Sequence, residues 1–513
     1  MTNTGDERNT SQRVRRSIFS MFVGKPLSAV AGLILLVMLS RNLAPEEYGA
    51  YFAVLAISEI LILASNFGLM PAAYRYISAT ENFAGKVLPK GPIGPFLLLR
   101  VISLLLAAVL LLSVPRSIVE PFSNVLADNQ VLVFIAIVVV GEGLSRYIEV
   151  IFDSMFCQGR SQITLLLRTL IRLFGIVWLA RDGSISFLDV LRVEAIAAIA
   201  GAVIGLGLLF KVWFNFSRFS RLGSDGGFDF RRFTSFAMPA FLAQLLGLAY
   251  GPDALKLILA GTSGGQVLAL FGFAFSIASV VQRYMPASLF AGVFRPIFVT
   301  ASSRVDSNVV LSDLVSLSVK LNWLILLPVA SFVYFAGDPL LARLSGGNYE
   351  DGGTVLFLLI LGLAAVAFHL TLSMYCLALE RSWPPLVATA VSVLCLPLAL
   401  QLAQMFGANG IAMAFGVSEL IWFLACLFFI GQRPLQKPAV DWRGLMIMLM
   451  STFFILFSFE MVGRVYDFAW YVPAIAAPLL FYISTFSLSI FNSREKTWLN
   501  SVVPIGRYFR FLN

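Results

Sequence analysis

Glu142, Arg146, Glu149 and Asp153 recur at spacings of four, three and four inside and just beyond one long apolar stretch, which places all of them on one stripe of a helix. A charge in such surroundings costs about 3 kcal/mol or more unless it is paired or faces water. The stripe must therefore turn inward, and its chemistry is ion pairing or anion capture. Arg168 and Arg172 stand four apart in the next apolar stretch, and Arg192 and Glu194 follow in the one after. Salt bridges that fix packing and a charged cavity lining both account for this cluster.

Four cations lie singly in apolar stretches: Lys25 beside Pro26, Lys256, Arg283 and Lys320. They read as unpaired, and for Lys25 and Lys320 snorkelling of a long side chain to the interface is a sufficient explanation. Lys256 lies deeper. The preceding Gly251-Pro252-Asp253 breaks the helix and supplies a carboxylate three residues away, which neutralises Lys256 until another anion arrives. Glu59, Glu419 and the single histidine, His369, are the remaining ionisable groups of interest in apolar runs. A carboxyl in a wet cavity takes up a proton or a sodium ion, so Glu59, Glu142, Glu149, Asp253 and Glu419 are candidates for cavity lining or ion coupling. His369 reads as a hydrogen-bonded packing residue. Walker loop, GxSxG and HExxH patterns do not occur, so no catalytic residue, metal or cofactor is expected apart from Na+ or H+ as a coupling ion. Cys157, Cys376, Cys395 and Cys426 lack metal-ligand spacing and read as small apolar residues.

The elements that must hold these charges are helices that cross a membrane. The chain is 59% apolar and only 13% charged, against about a quarter charged for soluble domains. Repeated apolar runs of about 20 residues make helices the default, because lipid offers the backbone no partners outside the segment. Such runs lie near 18–40, 49–70, 95–114, 131–151, 162–180 and 190–213, then near 236–260, 267–290, 311–336, 353–379, 384–406 and 409–430, with a last pair near 444–462 and 469–491. The expected fold is an all-α polytopic membrane protein of about 14 transmembrane helices: two six-helix lobes in a pseudo-two-fold relation, and a C-terminal helix pair. The expected divisions are a tail (1–17), an N-lobe (18–214), a basic linker (215–233), a C-lobe (234–431), a basic loop (432–443), the last pair (444–492) and a second tail (493–513). The first apolar run is too long for a signal peptide and is expected to be retained. Tyr48 and Tyr51 fall where aromatic residues anchor at an interface.

With the N-terminus inside, the cytoplasmic loops and tails hold several times as many Lys and Arg as the far side, which sets the orientation and places both termini in the cytoplasm. The net charge of +9 is explained by those loops rather than by nucleic acid, which is not an expected partner.

The run from Leu39 to Tyr51 (LSRNLAPEEYGAY) and that from Asn66 to Ser78 (NFGLMPAAYRYIS) resemble the opening of the Wzx-type polysaccharide flippases, of the multidrug/oligosaccharidyl-lipid/polysaccharide superfamily. Leu344 to Tyr349 (LSGGNY) and Phe406 to Ala414 (FGANGIAMA) extend the likeness to nearly the whole chain. The resemblance implies flipping of a polyprenyl-pyrophosphate-linked oligosaccharide from the cytoplasmic to the outer leaflet by alternating access, in cell-surface or exopolysaccharide (O-antigen, lipopolysaccharide) biosynthesis. It also implies location in the inner or plasma membrane, contact with membrane lipids, and attachment to a polysaccharide polymerase or co-polymerase complex. Lys25, Arg146, Lys256 and Arg283 are then the candidates to line a cationic cavity and meet the pyrophosphate. The extra helix pair departs from the commonest twelve-helix exporters and resembles the fourteen-helix branch of the lipid II flippases, where such a pair helps form a lipid-facing groove.

Two other readings compete. An ion-coupled multidrug or organic-cation antiporter of the same superfamily would share the 6+6 core but rely on acids and aromatic residues rather than cations. A membrane glycosyltransferase or polymerase would need a sizeable polar loop bearing carboxylates, whereas the long polar stretches here, Ala79 to Gly94 and Asn215 to Arg232, are short and basic.

Overall fold

The computed structural model describes residues 24, 26–70, 73, 93–114, 128–155, 157–182, 185–217, 230–289, 298, 307–379, 381, 383–431, 438–466 and 468–502. Among these there are helices, short 3-10 turns and no strand. Eleven helices are long and apolar enough to cross a membrane, and Pro26–Asn42, Trp383–Val393 and Tyr471–Ser487 are shorter apolar helices. Every apolar run expected from the sequence contains one of these helices or an arm of one. By contact the chain divides into two compact units, Met1–Ala269 and Leu270–Asn513.

The first unit holds α1 (Pro26–Asn42), α2 (Pro45–Ala64), α3 (Ile93–Ser113), α4 (Asn129–Ser154), α5 (Gln158–Leu179), α6 (Phe187–Ser217), α7 (Phe230–Tyr250) and α8 (Pro252–Ser263). Helix α2 starts where the sequence dictates: Pro45 occupies the first turn, with Glu46 and Glu47 beside it at the positive end of the helix dipole. Asp128 caps α4, its side chain accepting from the Gln130 amide at 2.9 Å. Helix α4 packs against α2, α3, α5 and α6 and is the hub of the unit. Its approach to α6 needs a bare backbone, since a Cβ at Gly141 would stand 2.7 Å from the Ala198 carbonyl carbon.

Helix α3 shows what surrounds this unit. Phe96, Arg100, Ser103, Leu104 and Ala107 form its buried face, while Leu98, Ile102, Leu105, Leu106, Val109 and Leu110 lie exposed on the other. A helix at an aqueous surface carries polar residues there; an apolar outer face is the mark of a lipid-facing helix.

Helices α7 and α8 are separated at Gly251-Pro252, where Gly251 adopts an extended conformation (φ −66°, ψ 169°) and α8 restarts with Pro252 in its first turn. Both pack on α2 and so belong by contact to the first unit. Most of the stretch expected as a linker, residues 218–229, lies outside the described residues.

The second unit takes up most of α9 (Gly265–Tyr284) and contains α10 (Ser307–Ser345), α11 (Gly353–Ala378), α12 (Trp383–Val393), α13 (Leu396–Ile430), α14 (Trp442–Gly463), α15 (Tyr471–Ser487) and α16 (Ser493–Val502). Helix α10 runs well past the expected 311–336 despite Pro328 and Pro339, and ends at Gly346 and Gly347, whose φ values of 72° and 97° give the left-handed close. Helix α13 is two arms. Gly407 (φ 55°, ψ −127°) reverses the chain between Leu402 and Gly410, and the second arm returns antiparallel to α12, with Trp422 Nε1 donating to Thr389 Oγ1 at 3.0 Å. The FGANGIAMA stretch is this turn and the start of the returning arm.

Candidate functional site

The stripe on α4 meets acids and arginines from three neighbouring helices. Arg146 lies between Glu142, one turn earlier, and Glu59 of α2, with Nε to Glu142 Oε1 at 2.9 Å and Nη1 to Glu59 Oε1 at 2.7 Å. Glu142 also takes Arg172 of α5 at 2.7 Å and stands 3.4 Å from Arg168. Arg172 reaches on to Glu194 of α6 at 2.8 Å, and the Tyr51 hydroxyl donates to Glu194 at 2.9 Å. Arg168 donates to Ser145 Oγ at 3.0 Å and lies 3.5 Å from Glu149. Four carboxylates and three guanidinium groups thus share one network in which each arginine bridges two carboxylates.

The network is graded in exposure. Glu142, Glu194 and Arg168 side chains are 6% exposed or less, whereas Arg146 is 35% and Glu59 26% exposed. The Arg146–Glu59 pair is its accessible edge, and the deep members hold the edge in place.

Lys256 and Asp253 form a second pair, Nζ to Oδ1 at 2.8 Å. Its depth follows from the register of α2. Asn66 bonds Gln244 at 3.0 Å at one end, and at the other a Cβ on Gly49 would stand 2.0 Å from the Gly265 carbonyl oxygen, so α2 runs antiparallel to α7 and α8. Counting back from Gly265 at equal rise puts Asp253 and Lys256 level with the stretch of α2 that carries Glu59. Two ion pairs on neighbouring helices of one unit therefore sit at similar depth.

Arg283 lies exposed in the last turn of α9, in the second unit. Lys25 lies outside the described residues. In the second unit His369 of α11 holds Glu419 of α13 through Nδ1 at 2.7 Å, as a hydrogen-bonded residue was expected to do.

Several expectations need correction. Lys256, grouped in the sequence with the unpaired cations, is held by Asp253, the neutralising carboxylate that the sequence supplied. Lys320 does not snorkel. Its side chain is fully buried, with Nζ 2.5 Å from Asp441, 2.7 Å from Glu495 and 2.9 Å from the Ile490 carbonyl. Tyr48 and Tyr51 are not interface anchors, being buried at 0% and 5% exposure. Tyr51 instead serves the charge network. Sequence reasoning also passed over Arg100, fully buried on α3, which donates to the Ile62 carbonyl at 2.9 Å and to Ser65 Oγ at 3.3 Å, at the open C-terminal end of α2. Its signal was an arginine eight residues into an otherwise apolar helix. Among the described residues no cluster of His, Cys, Asp and Glu could hold a metal ion.

Residues 14–302 match the family model described as polysaccharide biosynthesis protein. The chain belongs to the polysaccharide biosynthesis protein family. The match takes in the whole Arg146 network and the Asp253–Lys256 pair, so both lie within the family's core sequence. The fold agrees with that membership. A structure of the lipid II flippase MurJ in an inward closed conformation is similar at a TM-score of 0.69 and 15% identity, over 91% of this chain and 98% of that one. An inward-facing multidrug resistance MATE family transporter of the MOP superfamily is similar at 0.60 and 13% identity, over 82% and 98%. A MOP superfamily transporter from Pyrococcus furiosus is similar at 0.53 and 11% identity, over 85% and 98%. At these identities the likeness is one of fold: a multi-pass membrane transporter fold of the MOP type. No curated protein sequence matches the chain.

Proposed function

We propose that the protein flips a polyprenyl-pyrophosphate-linked oligosaccharide from the cytoplasmic to the outer leaflet by alternating access, with both termini in the cytoplasm of a cell that makes a surface or exported polysaccharide. The observation that carries this reading, within the family shown above, is the accessible Arg146. It is held by Glu59 at the edge of a network whose inner members are buried. A pyrophosphate presents the same paired oxygens as a carboxylate, so it can replace Glu59 on Arg146 without leaving the guanidinium unpaired. Lys256, released from Asp253, would add a second contact at similar depth. The sugar would stay in water and the polyprenyl tail in lipid. Between α14 and α15 a groove of about 570 Å³ is lined by Met446, Met450, Phe454 and Leu488, with Arg443 at one end, which suits a lipid chain with an anionic head.

A fluorescent polyprenyl-pyrophosphate oligosaccharide in proteoliposomes, read with a membrane-impermeant quencher, tests this. Protein-dependent loss of protection, abolished by Arg146→Ala and weakened by Lys256→Ala, is the expected result. Absence of movement together with gradient-driven efflux of an organic cation would move the protein to the antiporter class.

A further inference from the structure

The chain contains one histidine, and it is built into the second unit with more care than packing requires. The His369 ring lies parallel to the Trp422 indole, at 10° between planes and 3.7 Å between centroids. Its Nδ1 is 2.7 Å from Glu419 Oε2, and Trp422 is itself fixed by donating to Thr389. Three helices, α11, α12 and α13, thus set one imidazole in one orientation. The residues lie in the middle of α11 and of the returning arm of α13, at membrane depth, yet 29% of the His369 side chain and 12% of the Glu419 side chain remain exposed.

We propose that His369 and Glu419 form a proton-binding site that ties proton uptake to the transport cycle. With Glu419 ionised, Nδ1 must carry the hydrogen that the carboxylate accepts, and Nε2 keeps its lone pair. The step is the transfer of a proton from water to Nε2, forming an N–H bond and an imidazolium. The pair then changes from a net charge of −1 to 0. A net charge at membrane depth holds the site open to water, whereas the neutral ion pair can be shut away from it, so protonation shifts the balance between conformations.

Among the described residues, the ionisable groups of the neighbouring elements are engaged elsewhere or lie towards helix ends, and on α11 itself Tyr375 is buried. Helix α12 carries no ionisable side chain between Trp383 and Val393. On α10, Lys320 is committed to Asp441 and Glu495, Asp338 to the Gly353 amide, and Arg343 lies over Trp470; Asp313 sits near that helix's start. On α14, Glu460 accepts from Tyr334, and next to Asp441 and Arg443 stands an aromatic cluster of Trp442, Phe368 and Phe423. Cys376 and Cys426 are buried thiols two turns further along α11 and α13, and Arg381 follows the end of α11. Helix α9, which reaches α13 through Phe275 on Phe415, has Arg283 and Tyr284 in its last turn.

The coupling half of this proposal rests on the transporter reading; the binding half does not, and one protein tests both. Full-length protein with a histidine-free tag and isotope-labelled histidine shows a single imidazole by NMR. The expected result is a titration confined to Nε2, with Nδ1 protonated throughout and the midpoint displaced by Glu419→Gln. A resonance that ignores pH while the protein stays folded, or that ignores Glu419→Gln, overturns the site. In proteoliposomes, wild-type movement of the lipid probe should respond to a pH gradient. His369→Gln and Glu419→Gln should lose that response, and Glu419→Asp should keep it; a gradient response surviving in both Gln variants overturns the coupling. Should wild-type protein move no lipid probe, the function proposed above fails by itself. The resonance still decides the site, and proton exchange against an organic cation, measured in the same variants, decides the coupling.

Discussion

Glu142 is where the charges of the first unit converge, with Arg146, Arg168 and Arg172 all within 3.4 Å of its two oxygens. Removing it takes the shared partner from three buried or half-buried guanidinium groups, leaving them only Glu59, Glu149 and Glu194, and breaking a buried pairing costs about 3–5 kcal/mol. Glu142→Ala should therefore lower the thermal midpoint in detergent sharply, by several degrees or failure to accumulate. Glu59 stands at the exposed edge, where ion pairs contribute about 1 kcal/mol or less. Glu59→Gln should leave the midpoint nearly unchanged and, by taking away the internal competitor for Arg146, strengthen binding of a pyrophosphate lipid measured by titration; weaker binding would contradict the exchange of carboxylate for phosphate. The spacing of Glu142, Arg146 and Glu149 announced a common face. Glu59 as the partner was not legible, because it lies 87 residues away and pairs only once α2 packs on α4.

At the scale of elements, Lys320 ties α10 to the start of α14 and to α16. Asp441 is the N-cap of α14, and Glu495, in the first turn of α16, also accepts from the Asn492 amide at 2.8 Å. Lys320→Ala would leave two carboxylates facing one another, and α16 should then become accessible to protease. Burial pushes the Glu495 carboxyl above the usual carboxylate range despite the lysine. A carboxyl raised on folding binds its proton more tightly in the docked state, so its contribution is full below the ordinary carboxylate value and declines as pH rises through the raised one. Amide exchange in residues 493–502 should accordingly be slower at mildly acidic than at neutral pH, relative to the intrinsic rate. Gly407 sets the other element-scale constraint: a side chain at φ 55° and ψ −127° is strained by about 1–3 kcal/mol, so Gly407→Ala should destabilise the second unit by that amount in thermal denaturation. The stretch around Gly407 was visible in the sequence as the start of an apolar run, but that it is a chain reversal inside a continuous helical signal was not, since periodicity reports helix and not direction.

For the whole molecule, the distribution of Lys and Arg makes a prediction of its own. Fluorescent-protein fusions at either terminus should fold and fluoresce in the cytoplasm, while alkaline phosphatase should be active only when inserted into loops of the far side, such as Arg41 to Ala44. A fluorescent fusion in that loop would invert the proposed orientation. The helices themselves were legible in the sequence because each apolar run must satisfy its own backbone in lipid, a local requirement that needs no partner. Family resemblance was legible too, in short stretches, of which Leu39 to Tyr51, Leu344 to Tyr349 and Phe406 to Ala414 form helix ends and turns. What only the tertiary structure decided is which charges meet. Single cations read as free or snorkelling proved to be paired, Tyr51 left the interface for Glu194, and His369 acquired a stacked indole and a carboxylate. A charge buried in an apolar run declares that it needs a partner or water, but the partner is set by the packing of helices far apart in the chain, which the run itself does not report.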